Sequence, residues 1–122
     1  MESPYKGKTG LRRLINAFGY SMDGFKAAYQ HEDAFRMEAL LAAVLTPLAF
    51  YLAGSVIELA MMLASLFLVV IVELVNSAIE ATVDHTSLEK HKLAKRAKDI
   101  GSAAVLLSLI NLAVVWGLLI FG

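Results

Sequence analysis

The stretch LAMMLASLFLVVIVELVNSAIEATVD, residues 59–84, decides how this chain folds. Its first half, Leu59 to Val72, carries no charge, and its second half sets Glu73, Asn76, Ser77, Glu80 and Asp84 at intervals i, i+3, i+4, i+7 and i+11. At roughly 100° per residue these polar positions share one stripe about 100° wide on an otherwise apolar helix. A segment of that length and composition is expected to cross a membrane. The stripe cannot face acyl tails, because a carboxylate at membrane depth is costly on every insertion scale; it must look into a protein interior or a watery cavity. Two carboxylates at depth on such a stripe, Glu73 and Glu80, suit a cation or a proton held between them.

Two more spans flank this one. Ala39 to Ile57 is nineteen residues without a charge, enough at about 1.5 Å per residue to cross roughly 30 Å of hydrocarbon. Pro47 inside it is tolerable in a membrane helix and marks an expected kink. Ile100 to Gly122 has no ionisable residue, and Trp116 near its far end is expected in an interfacial aromatic belt. Composition agrees: with 58% hydrophobic residues and a mean hydropathy of +0.65, a chain of 122 residues is too apolar for a soluble domain. Eleven basic residues balance eleven acidic ones, so no net field exists to attract nucleic acid. Cysteine is absent, which excludes disulfides, thiolate metal sites and thiol nucleophiles.

Charge placement sets the expected topology. Every basic residue lies either before the first span, from Lys6 to Arg36, or before the third, from Lys90 to Lys98. The positive-inside rule then makes the N-terminal segment and the 84–99 loop cytoplasmic, with the 53–58 turn and the C-terminus periplasmic. No signal-type apolar run occurs between Met1 and Glu38, so the first span is expected to serve as the insertion signal and to be retained. Leu11, Leu14, Ile15, Phe18, Met22, Phe25 and Tyr29 recur at helical spacing, which reads as an amphipathic helix on the membrane surface with a bend near Gly19 or Gly24. The expected architecture is an all-α membrane protein of one domain, 1–122: a surface helix over about 11–30 and transmembrane helices over about 36–54, 57–84 and 97–121.

Three clusters could do chemistry. Glu80 and Asp84 suit either a solvated helix end or a functional stripe, whereas Glu73 lies about three turns inside the helix and is harder to explain structurally. Ahead of the first span, Glu32 and Arg36 at i and i+4 form an ordinary helix pair in isolation. Near Glu80, however, Glu32 would supply a second hard oxygen ligand for Mg²⁺, which takes one or two carboxylates plus phosphates. At the start of the last span, Lys98 suits either a phosphate or a snorkelling anchor, and Gly101-Ser102-Ala103-Ala104 suits close helix approach. His31, His85 and His91 have no metal-ligand spacing. Gly7-Lys8-Thr9 imitates the end of a phosphate-binding loop, but Glu2 stands where its first glycine is required.

The run from Val72 to Asp84, VELVNSAIEATVD, followed by Ala97 to Val105, AKDIGSAAV, closely resembles the prokaryotic diacylglycerol kinase family. Gly19-Tyr20-Ser21 and Glu32 to Glu38, with Phe35 and Arg36, resemble it too, in order and over nearly the whole chain. The resemblance implies a homotrimer with active sites at subunit contacts, ATP and diacylglycerol as substrates, and Mg²⁺. It implies Glu73 as the general base, Glu32 and Glu80 as metal ligands, and Arg13, Tyr20, Glu89, His91, Lys98 and Asp99 with the two metal ligands around ATP. Arg36, Glu38, Asn76 and Ser102 would join Glu73 at the lipid. Met22 and His85 depart from residues common in the family, and 86–93 matches poorly. A sister undecaprenol kinase, a proton-coupled transporter titrating at Glu73, and a purely structural oligomer are the alternatives; Gly101 to Ala104 resembles the diacylglycerol branch.

Overall fold

The structure is a computed structural model that describes residues 10–86 and 91–122. It is all α, with four helices and no strand among the described residues. The chain divides into two units, one ending at Glu32 and the other beginning at Asp33.

The first unit is α1, Gly10–His31. Leu11, Leu14, Ile15, Phe18, Met22, Phe25 and Tyr29 are all exposed along it, an apolar surface suited to an interface. Gly19 and Gly24 lie within the one continuous helix, and a backbone bond from Glu32 N to Ala28 O, 2.9 Å, closes its end.

The second unit holds α2, Asp33–Leu52, α3, Val56–Thr86, and α4, His91–Phe121. Each is long and apolar enough to cross a membrane, with mean hydropathy rising from 1.5 in α2 to 2.4 and 2.5 in α3 and α4. Asp33 opens α2 where a helix dipole favours a carboxylate, and Arg36 pairs with it. The helix runs on through Pro47, beside which Thr46 Oγ1 donates to the Ala42 carbonyl at 2.7 Å. The break between α2 and α3 is closed by reciprocal capping: Glu58 N donates to Ser55 Oγ at 3.1 Å, and Gly54 N donates to Glu58 Oε1 at 3.2 Å. Helix α4 begins at His91, so the basic segment around Lys92, Lys95, Arg96 and Lys98 is helical before the apolar span begins. Lysine and arginine are good helix formers, and Lys95 pairs with Asp99 one turn on, at 2.7 Å.

Helix α3 is central, packing against both α2 and α4. The core is Ala49 from α2, Met62, Leu66 and Val69 from α3, and Leu112 and Trp116 from α4. Here the structure corrects one expectation. Trp116 is 7% exposed, not an interfacial belt residue, and its indole N–H donates to the Met62 carbonyl at 3.2 Å. An indole needs one acceptor when buried; the neighbouring helix supplies a backbone oxygen that Ser65 Oγ also reaches, at 2.9 Å. Elsewhere the outer faces of α2, α3 and α4 expose large apolar side chains such as Leu40, Val44, Phe67, Ile71 and Leu106, which a bilayer covers at no cost.

Candidate active site

The polar stripe of α3 grades from buried to open. Glu73 is 1% exposed, Asn76 7% and Ser77 8%; Glu80 is half-buried and Asp84 exposed. The 3.6-residue period puts all five on one side, and the neighbouring helices cover the part nearest the core.

Around Glu73 the packing is polar. Ser77, one turn on, donates its hydroxyl to Glu73 Oε2 at 3.1 Å. From α2, the buried Glu38 carboxyl comes close enough to Glu73 for the two groups to interact directly, and its Oε2 has no hydrogen-bond partner. From α4, Gly101 is pressed against Asn76: a Cβ at Gly101 would overlap the Asn76 side-chain oxygen. That oxygen is buried and also without a partner. Buried acceptors normally find donors, so two acceptors without a partner beside one carboxylate set this cluster apart from the apolar core.

Nearer the end of α3, Lys98 Nζ pairs with Asp84 Oδ1 at 2.7 Å, and Glu80 acts on the same ammonium. Asp99 is occupied by Lys95. Glu80 offers a hard oxygen, and the described residues contain no group of three or more His, Asp or Glu able to hold a metal by themselves. That donor set fits Mg²⁺, which completes its octahedron with phosphate oxygens and water, and it does not fit an all-protein cage.

The structure therefore gathers Glu38, Glu73 and Asn76 in one cluster, and Glu80 with Lys98 in another along the same stripe. Arg36 lies two residues before Glu38 on α2, about 200° round the helix from it, half-buried and paired with Asp33, and Ser102 is exposed, outside the buried group. Arg13 and Tyr20 lie exposed on α1, and Glu32, half-buried, follows its end; they belong to the first unit and are described with it alone. Glu89 and the His91 side chain lie outside the described residues. Sequence reasoning gave no site role to Ser77 and left Asp84 between a solvated helix end and a functional stripe. Ser77 sits one turn from Glu73, so its spacing already carried the signal; the partner of Asp84 is fourteen residues away on α4 and could not be read locally.

Residues 19–120 match the family described as prokaryotic diacylglycerol kinase. The chain is 54% identical over 120 residues to a diacylglycerol kinase of Pseudomonas aeruginosa, covering 98% of each chain. It is 47% identical to that of Haemophilus influenzae, covering 93% of this chain and 96% of the relative, and 43% identical to that of Escherichia coli, covering 93% of both.

Proposed function

We propose, from the premise that the chain belongs to the prokaryotic diacylglycerol kinase family, that it is a membrane lipid kinase that transfers the γ-phosphoryl of ATP to the primary hydroxyl of diacylglycerol, giving phosphatidate and ADP. The observation that carries this reading is the buried Glu73 carboxylate, held by Ser77 and flanked by the unpartnered acceptors of Glu38 and Asn76. The single free hydroxyl of diacylglycerol is the kind of donor that this cluster lacks.

In this mechanism the glycerol hydroxyl donates its proton to Glu73 as its oxygen bonds to the γ-phosphorus. The bond from that phosphorus to the β,γ-bridging oxygen breaks, and ADP leaves with the electron pair. Glu38, Asn76 and Ser102, with Arg36, orient the glycerol end, because positioning is the larger part of phosphoryl-transfer catalysis. Glu80 and Glu32 would hold Mg²⁺, which supplies charge neutralisation for the polyphosphate. Lys98, Asp99, Arg13 and Tyr20 bind ATP, together with Glu89 and His91. Lys98 is the point charge for phosphate.

The working form is a homotrimer in the cytoplasmic membrane, with the basic ends of α1 and α4 on the cytoplasmic side where ATP is available. All eleven basic residues precede either the first or the third apolar span, which supports that orientation.

The test measures magnesium-dependent ADP release from ATP with diacylglycerol and, in parallel, with undecaprenol. Diacylglycerol is expected to be the better acceptor. Glu73→Gln is expected to lower transfer at least about 10³-fold while the protein still inserts and assembles. Retained turnover in that variant, or a wild-type protein that releases ADP only with undecaprenol, overturns this reading.

A further inference from the structure

An ion pair at the seam between α3 and α4 stands apart from the Glu73 cluster. Lys98 Nζ lies 2.7 Å from Asp84 Oδ1, joining the end of α3 to the beginning of α4. Glu80, one turn back along α3, acts on the same ammonium. Both partners are well exposed, with side chains 42% and 61% accessible, so the pair adds little to stability. Its value is geometric.

We propose that Asp84 is a positioning residue for the nucleotide, holding the Lys98 ammonium at the Glu80 end of the seam so that it meets the α- and β-phosphates of ATP. The inference rests on the reading of the chain as an ATP-dependent kinase. A lysine ammonium has three donors, and Asp84 engages one. The remaining two are left beside the metal-binding carboxylate, where polyphosphate must pass. Without the tether, a four-carbon stem has to be ordered by the phosphate itself, and that ordering subtracts from affinity.

Position along α3 decides which phosphates are served. Asp84 stands eleven residues beyond Glu73, about 16 Å of axial rise. The base must touch the attacking hydroxyl, and that hydroxyl must touch the γ-phosphorus, so the reacting end lies at the Glu73 level. A lysine pinned at the Asp84 level addresses the trailing part of the triphosphate. Its loss then shows in nucleotide binding and not in the transfer step.

The experiment is a double-mutant cycle on the full chain in detergent or bilayer, using Asp84→Ala, Lys98→Gln and the combination. Two quantities are read: the Kd of Mg²⁺·ADP by equilibrium dialysis, and KM for ATP with kcat from ADP release with diacylglycerol. Asp84→Ala is expected to weaken ADP binding and raise KM for ATP about tenfold, with kcat held within about twofold, and to add nothing once Lys98 is Gln. Asp84→Glu restores most of the affinity, whereas Asp84→Asn, which keeps the shape without the charge, shifts it in the same direction as Ala. The proposal is overturned if Asp84→Ala leaves nucleotide affinity unchanged, if it costs as much in the Lys98→Gln background as in wild type, or if kcat falls at constant KM. If the coupling holds in ADP binding but diacylglycerol evokes no turnover, the lipid-kinase reading fails while the positioning role stands. A wild-type chain that binds no Mg²⁺·ADP sinks both.

Discussion

The two ends of the α3–α4 seam bring the same pair of helices together by opposite means. At one end the Trp116 indole is buried against Met62, Leu66 and Leu112, and its only polar atom is satisfied by the Met62 carbonyl. At the other end Gly101 removes its side chain altogether, so that α4 lies on Asn76, and the amide oxygen it covers is left without a donor. The first contact is complete within the chain. The second is not, and an incomplete polar cluster beside a buried carboxylate costs stability that a binding partner can return. What differs between the ends is whether the polar groups are finished, and on the proposed reading that separates the part that holds the bundle from the part that carries the chemistry.

Substitutions can break or sharpen this contrast. Gly101→Val has the largest expected effect outside the base itself, because two further methyl groups join a Cβ that already overlaps Asn76. It should cost about 3 kcal/mol, read as a fall in the thermal midpoint in detergent together with lost ADP release. Shortening Asn76 to Ala in the same chain should recover part of the stability but not the activity. A Gly101→Val protein as stable as wild type would show that the helices do not meet this closely. Next in size is Ser77→Ala, which removes the hydroxyl bonded to Glu73. It is expected to lower kcat about tenfold with little change in KM for ATP, since the nucleotide end is untouched; an unchanged kcat argues that Ser77 is a bystander. Smallest is Trp116→Phe, which keeps most of the packing and loses one hydrogen bond, about 1 kcal/mol. It should lower the thermal midpoint slightly while kcat and KM stay as they were. If Trp116→Phe damaged catalysis as much as Ser77→Ala, the two ends would not be functionally separate.

The features legible in the sequence are those set by local period and composition. Three apolar helices long enough to span follow from uncharged runs, and the stripe from Glu73 to Asp84 follows from the 3.6-residue repeat. Cross-helix register is invisible to such reasoning. Nothing local says that Glu38 of α2 comes to Glu73 of α3, or that Lys98 of α4 meets Asp84 of α3. Trp116 is hidden for the same reason: an indole near a span's end is suited to an interface unless a carbonyl lies within reach, and the one it uses is 54 residues away in the chain. In the basic run before the third span the charges mark topology and suggest a loop. Its helix propensity and the Lys95–Asp99 spacing pointed to the earlier helical start.

The two seam contacts also fix sliding. Gly101 and Trp116 are fifteen residues apart on α4, and their partners Asn76 and Met62 are fourteen apart on α3, about 22 Å and 21 Å of rise. An antiparallel pair clamped at two such matched points cannot shift by a helical turn without losing both clamps together. These helices thus behave as a single stiff rail, and any opening that admits a two-tailed lipid or releases a more highly charged one has to be delivered by the elements beside it.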